Sequence, residues 1–100
     1  MHSLGIAHRD IKVENVIKST VDGKYKLCDF GSSSTETLDY SKASKSSIAK
    51  QLEVFERQTT LMYRPPEMLD SYQGYNVGLK VDIWMLGCVL YALCFGRHPF

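Results

Sequence analysis

The Asp22-Gly23 pair, set between two strand-forming runs, constrains this chain more than any other feature. Val16 to Ser19 and Lys24 to Cys28 are short runs suited to strands, and Asp-Gly between such runs predicts a tight hairpin. A hairpin returns the chain to its start. Asn15, before the outgoing strand, and Asp29, after the returning one, are therefore expected side by side although fourteen positions separate them. Together they offer hard oxygen ligands of the kind a hard divalent cation prefers.

Asn15 closes the run His8-Arg9-Asp10-Ile11-Lys12-Val13-Glu14-Asn15, and Asp29 opens Asp29-Phe30-Gly31. A His-Arg-Asp triplet, an Asn five residues after the Asp, Asp-Phe-Gly and a later Pro66-Glu67 occur in that order. The pattern resembles the catalytic core of eukaryotic protein kinases. Phosphoryl transfer needs little covalent help, so such a site mostly positions the nucleophile and neutralises charge on phosphate oxygens. The resemblance implies that Asp10 accepts or orients the proton of an attacking hydroxyl. Lys12, two positions on along extended backbone, stabilises the transferring phosphate. Asn15 and Asp29 hold Mg2+, and Lys12, Asn15, Cys28 and Asp29 face ATP. His8 is expected to pack beneath the loop rather than to act as base or ligand, with Phe30 and Gly31 also structural. Arg9, beside the catalytic carboxylate, is suited to receive a phosphate from the activation loop.

After Gly31 the composition changes. Ser32 to Lys50 is rich in Ser, Thr and Lys, which predicts a mobile solvated loop offering phosphorylation sites. Ile48, Leu52 and Phe55 recur at helical spacing and predict a short amphipathic helix within it. Thr59 to Glu67 resembles the kinase peptide-docking segment, in which Thr60 bonds to Asp10 and Lys12 and Tyr63 also matches. Glu67 is expected to form a buried ion pair with a later arginine. None follows before Phe100 that fits, which predicts a loss of about 3–5 kcal/mol from an uncompensated buried carboxylate. Pro65 stands where the family usually has Ala and leaves the local backbone open.

Asp82 is expected as an N-cap, and Ile83 to Phe95 is apolar on every helical face, which predicts a helix buried on all sides. Gly96 and Pro99 supply stop signals, while Gly87 predicts close packing. Met85 occupies a position where the family has a small residue. The resemblance makes this the central helix of the large lobe, with Asp82 reaching back to amides of the catalytic loop. Met1 to Ala7 reads as the last turn of a helix with a Gly stop, so Met1 is expected to be internal to a longer protein.

An apolar content of 44%, a charged content of 23% and a net charge of +1 describe at most one globular domain with no basic footprint for nucleic acid or membranes. Ile83 to Phe95 is too short to span a bilayer, and no targeting signal is visible. Cys28, Cys88 and Cys94 show no Cys-x-x-Cys spacing and are expected as buried reduced thiols of a cytoplasmic protein. The expected fold class is α+β: part of the C-terminal lobe of a protein-kinase-like fold. Its parts are a catalytic loop (8–15), a metal-binding loop (29–31), an activation segment (29–67) and a central helix (82–95). The small lobe and the end of the large lobe are expected to be missing.

Lys12 points to the serine/threonine class. Lys-Val-Glu-Asn, the Cys before Asp-Phe-Gly, Thr-Thr-Leu-x-Tyr-Arg-x-Pro-Glu-Met and Asp-Ile-Trp-x-Leu-Gly-Cys are similar to the Numb-associated kinase family, which includes the adaptor-associated and cyclin-G-associated kinases. That resemblance implies protein substrates among clathrin-adaptor subunits, phosphorylated on threonine, and work at endocytic membranes. The glycine-rich loop, its lysine and its glutamate are not among these residues, so the hundred residues alone are expected to be inactive. Two alternatives are a pseudokinase serving as a scaffold, which the intact Asp10, Lys12, Asn15 and Asp29 oppose, and a small-molecule phosphotransferase. The latter class lacks a segment like Thr60 to Glu67.

Overall fold

The computed structural model describes residues 1–100, the side chain of Gln73 excepted. The architecture is α+β. Strands β1 (Val16–Lys18) and β2 (Tyr25–Leu27) pair antiparallel with Val16 opposite Leu27 and Lys18 opposite Tyr25. The hairpin forms as the sequence predicts, with a connection longer than Asp22-Gly23. Ser19 N–H donates to Lys24 O at 2.8 Å, and Gly23 N–H donates to Ser19 O at 3.0 Å, with Gly23 at φ 69°. Cys28 N–H continues the ladder to Asn15 O at 2.9 Å, which brings the residue before Asp29 against Asn15.

Three helices follow: α1 (Lys45–Gln58), the single turn α2 (Pro66–Leu69) and α3 (Val81–Phe95). The amphipathic helix expected around Ile48, Leu52 and Phe55 is therefore present and runs a full fourteen residues. Ser44 caps it, its side chain accepting from Ser47 N–H at 3.2 Å. Phe55 is buried, while Ile48 and Leu52 are half-buried. Pro65 lies at φ −71°, ψ 160°, extended backbone that proline accepts, and Pro66 opens α2 where a missing N–H costs nothing.

The segment before α1 is not the free loop its composition suggests. Ala7 and Ser34 exchange backbone hydrogen bonds at 2.9 and 3.0 Å, as do Leu38 and Val77 at the same distances. The Tyr40 hydroxyl donates to Glu67 O. Burial pushes the Tyr40 phenol up to about 12, reinforced by the nearby charges of Glu67 and Asp70. Backbone pairing needs no large apolar side chain, so Ser and Thr content gave no sign of it.

Phe55, Tyr63, Met68, Val77, Val81, Met85, Cys88 and Val89 form one core with Ile11 of the loop 8–15. Here α3 departs from expectation. Val81, Asp82, Met85, Cys88 and Val89 face inward, but Ile83 is 60% exposed, Leu90 62% and Leu93 71%. Gly87 is exposed, and a Cβ there would meet nothing within 4 Å, so no close packing requires glycine. Cys94 is exposed, Cys28 is half-buried and only Cys88 is buried. These hundred residues cover the helix from one side, and composition alone does not say which side. Glu67 is likewise half-buried, beside an open groove with Tyr75, Asn76 and Lys80, so the burial penalty expected for it does not arise. Among the described residues no helix is long and apolar enough to cross a membrane.

Candidate active site

The site is hung from α3. Asp82 does not cap the helix; Lys80 is the N-cap, and Asp82 sits in the first turn, 3% exposed. Its carboxylate accepts from His8 N–H through Oδ2 and from Arg9 N–H through Oδ1, each at 2.8 Å. His2 Nε2 lies 2.7 Å from Oδ2. These charge-assisted bonds hold two successive amides at one point. The backbone answers with φ 68° at Arg9, a left-handed conformation that costs a side-chain-bearing residue about 1–2 kcal/mol.

His8 is fully buried and joins the two polar loops. Asp10 N–H donates to its Nδ1 at 3.2 Å, so Nδ1 is the acceptor and Nε2 carries the hydrogen that points to Cys28 O at 3.0 Å. The Phe30 ring meets it edge-on with centroids 5.1 Å apart. The loop 8–15 is thus tied to the residue preceding Asp29. Asp29 itself is left-handed at φ 61°, with Gly31 N–H 3.4 Å from Oδ1.

Asp10, Lys12 and Thr60 come together. Thr60 Oγ1 donates to Asp10 Oδ1 at 2.9 Å and accepts from Lys12 Nζ at 3.0 Å, while Lys12 Nζ lies 3.6 Å from Asp10 Oδ2. Asn15 is buried, and its Nδ2 donates to Asp10 O at 2.9 Å and more weakly to Asp10 Oδ2 at 3.4 Å. With Nδ2 committed, Oδ1 is the atom left to ligate a cation. Asp29 is exposed, and a hard pair of oxygens from Asn15 and Asp29 fits magnesium better than a soft metal. Among the described residues no cluster of three or more His, Cys, Asp or Glu suits a metal.

Arg9 is 7% exposed, and its Nη2 donates to Glu36 O at 2.6 Å while the guanidinium sits 5.5 Å from the centroid of Phe55 in α1. Burial lowers its pKa, opposed by the charges of Glu36 and Asp82. Its surroundings are therefore a carbonyl and an aromatic face. Sequence reading missed two structural partners of this site, His2 and Arg64. Arg64 had one faint signal, a cation shortly after a helix end. The positive φ at Arg9 was not legible, since arginine has no intrinsic preference for it.

A family model described as protein kinase domain matches residues 1–100. Serine/threonine-protein kinase sel-5 of Caenorhabditis elegans is 50% identical over 96 residues, 95% of this chain and 9% of that protein. Two probable serine/threonine-protein kinases of Dictyostelium discoideum are 44% and 47% identical over 95 residues, which is 11% and 8% of their lengths. The chain thus spans about a tenth of these curated relatives.

Proposed function

Because this chain belongs to the protein kinase family, we propose that it forms the phosphoryl-transfer centre of a serine/threonine kinase whose activity resides in a longer polypeptide. In this reading residues 8–15 are the catalytic loop, 29–31 the metal loop, 29–67 the activation segment and 82–95 the central helix. The carrying observation is the closed contact of Thr60 with Asp10 and Lys12. It links the peptide-docking segment to the carboxylate that handles the proton.

A serine or threonine hydroxyl of a protein substrate loses its proton to Asp10 as its oxygen bonds to the terminal phosphorus of ATP. The bond from that phosphorus to the bridging oxygen breaks, and ADP departs. Lys12 offsets charge on the transferring group. Asn15 holds Asp10 through Nδ2 and offers Oδ1 to the cation, with Asp29 as the second ligand. Held by Asn15 and Asp29, Mg2+ would supply neutralisation of phosphate charge. Cys28, joined to Asn15 by the strand ladder, would border the cofactor in this reading. The serine/threonine names of the relatives support this class. Membership of the Numb-associated family, with clathrin-adaptor substrates and a cytoplasmic place at endocytic membranes, rests on the sequence wording from Lys12 to Asn15 and from Thr59 to Met68.

The test is transfer of the terminal phosphate of ATP to serine and threonine peptides by the complete polypeptide carrying this sequence. Asp10→Asn lowers the rate about 10²–10⁴-fold with folding intact. Undiminished transfer by that variant would sink the reading, and the hundred residues alone are expected to transfer none.

A further inference from the structure

Arg64 follows the helical turn Leu61–Tyr63, and its guanidinium folds back over the end of α1. Nε donates to Thr59 Oγ1 at 2.7 Å, and Nη2 donates to Thr59 O at 2.9 Å and Glu56 O at 3.4 Å. Thr59 in turn reaches Phe55 O, through Oγ1 at 2.5 Å and through N–H at 2.9 Å. The last carbonyls of a helix lack intrahelical donors and carry the negative end of its dipole, so a cation there is doubly favoured. Arg64 is a fitted clamp on that end.

The same six residues reach the site. Thr60 follows Thr59 directly and bonds to Asp10, while Tyr63, which precedes Arg64, is 1% exposed. Val13 N–H donates to the Tyr63 hydroxyl at 3.4 Å. Residues 59–64 are thus fixed at three points: to α1 by Arg64, to the core by Tyr63 and to the carboxylate by Thr60. The charges of Glu56 and Asp10 both act on the Arg64 guanidinium, against the burial that lowers its pKa.

We infer that Arg64 is a positioning residue of the transfer site: by clamping Thr59 and the end of α1, it holds Thr60 against Asp10 and Lys12. This rests on the kinase reading above. A helix inserted in the activation segment then braces the docking segment from behind, and movement of α1 is felt at the catalytic carboxylate. Lysine cannot reproduce the clamp, because a single ammonium lacks the planar fork that serves Thr59 Oγ1 and Thr59 O together.

The experiment compares Arg64→Met, Arg64→Lys and the control Arg57→Met in the complete polypeptide. Arg57 is exposed in the last turn of the same helix, and its replacement should leave kcat unchanged. Both Arg64 variants are expected to lower kcat by about tenfold or more while KM for ATP stays within about twofold. Arg64→Met added to Thr60→Ala should cost nothing further, because the two act through one contact. Amide exchange across residues 56–60 should quicken in both Arg64 variants.

Unchanged kcat in both Arg64 variants would overturn the inference, as would a loss fully additive with Thr60→Ala. If Arg64→Met does not fold, Arg64→Lys decides by kcat and exchange. Failure of the kinase reading shows instead in the unmodified protein, as absent transfer or as transfer indifferent to Asp10→Asn.

Discussion

The two sides of α3 carry similar apolar content and have opposite surroundings. On the inner side every position meets a partner: Asp82 takes two amides, and Val81 and Met85 are fully buried. On the outer side Ile83, Leu86, Leu90 and Leu93 stand more than half exposed, and Trp84 stacks on Phe100 at 5.6 Å over an apolar groove. Hydrophobicity shows that a residue favours burial, whereas contacts show what it builds. Only the inner side shapes the site.

That contrast can be broken most sharply at Asp82. Asp82→Ala leaves the His8 and Arg9 amides without an acceptor and removes the hold on the left-handed backbone at Arg9. A loss of about 3–5 kcal/mol is expected in urea unfolding, comparable to breaking a buried charged pair. A change below about 1 kcal/mol would mean the anchor is dispensable. Next in size is a matched pair of truncations. Within residues 1–100 alone, Met85→Ala, at 0% exposure, should cost about 2–5 kcal/mol, while Leu93→Ala, at 71%, should stay within about 0.5 kcal/mol. Equal losses would show that the outer side is covered by something in solution. The smallest effect has the opposite sign. Gly87→Ala meets no neighbour and should raise stability by about 0.5–1 kcal/mol; destabilisation would reveal a partner pressed against that side.

Much of the site was legible because its residues are close in sequence or joined by a predictable hairpin. Asp10, Lys12 and Asn15 lie within six positions, and Asp22-Gly23 returns the chain so that Asp29 follows a residue bonded to Asn15. Thr60 was expected from the wording of residues 59–67 and does meet Asp10 and Lys12. Other features depend on backbone and long-range contacts. The pairing of Ser34 with Ala7 and of Leu38 with Val77 turns a serine-rich stretch into ordered chain. The Arg64 clamp joins a helix end to a turn by hydrogen bonds that no periodicity announces.

The sequence by itself determined the hairpin, the amphipathic α1, the stop at Gly96 and the set of polar groups suited to phosphoryl transfer. Those follow from short-range rules: turn chemistry, helical period and the reach of side chains a few residues apart. Tertiary structure decided which side of α3 is covered, that Asp82 anchors a distant loop rather than capping its helix, and which backbone positions are strained. A uniformly apolar helix has no preferred face, and a carboxylate in a first turn can serve the helix or a distant loop. Asp82 serves the loop because His8 and Arg9 bring it two donors that a buried carboxylate needs.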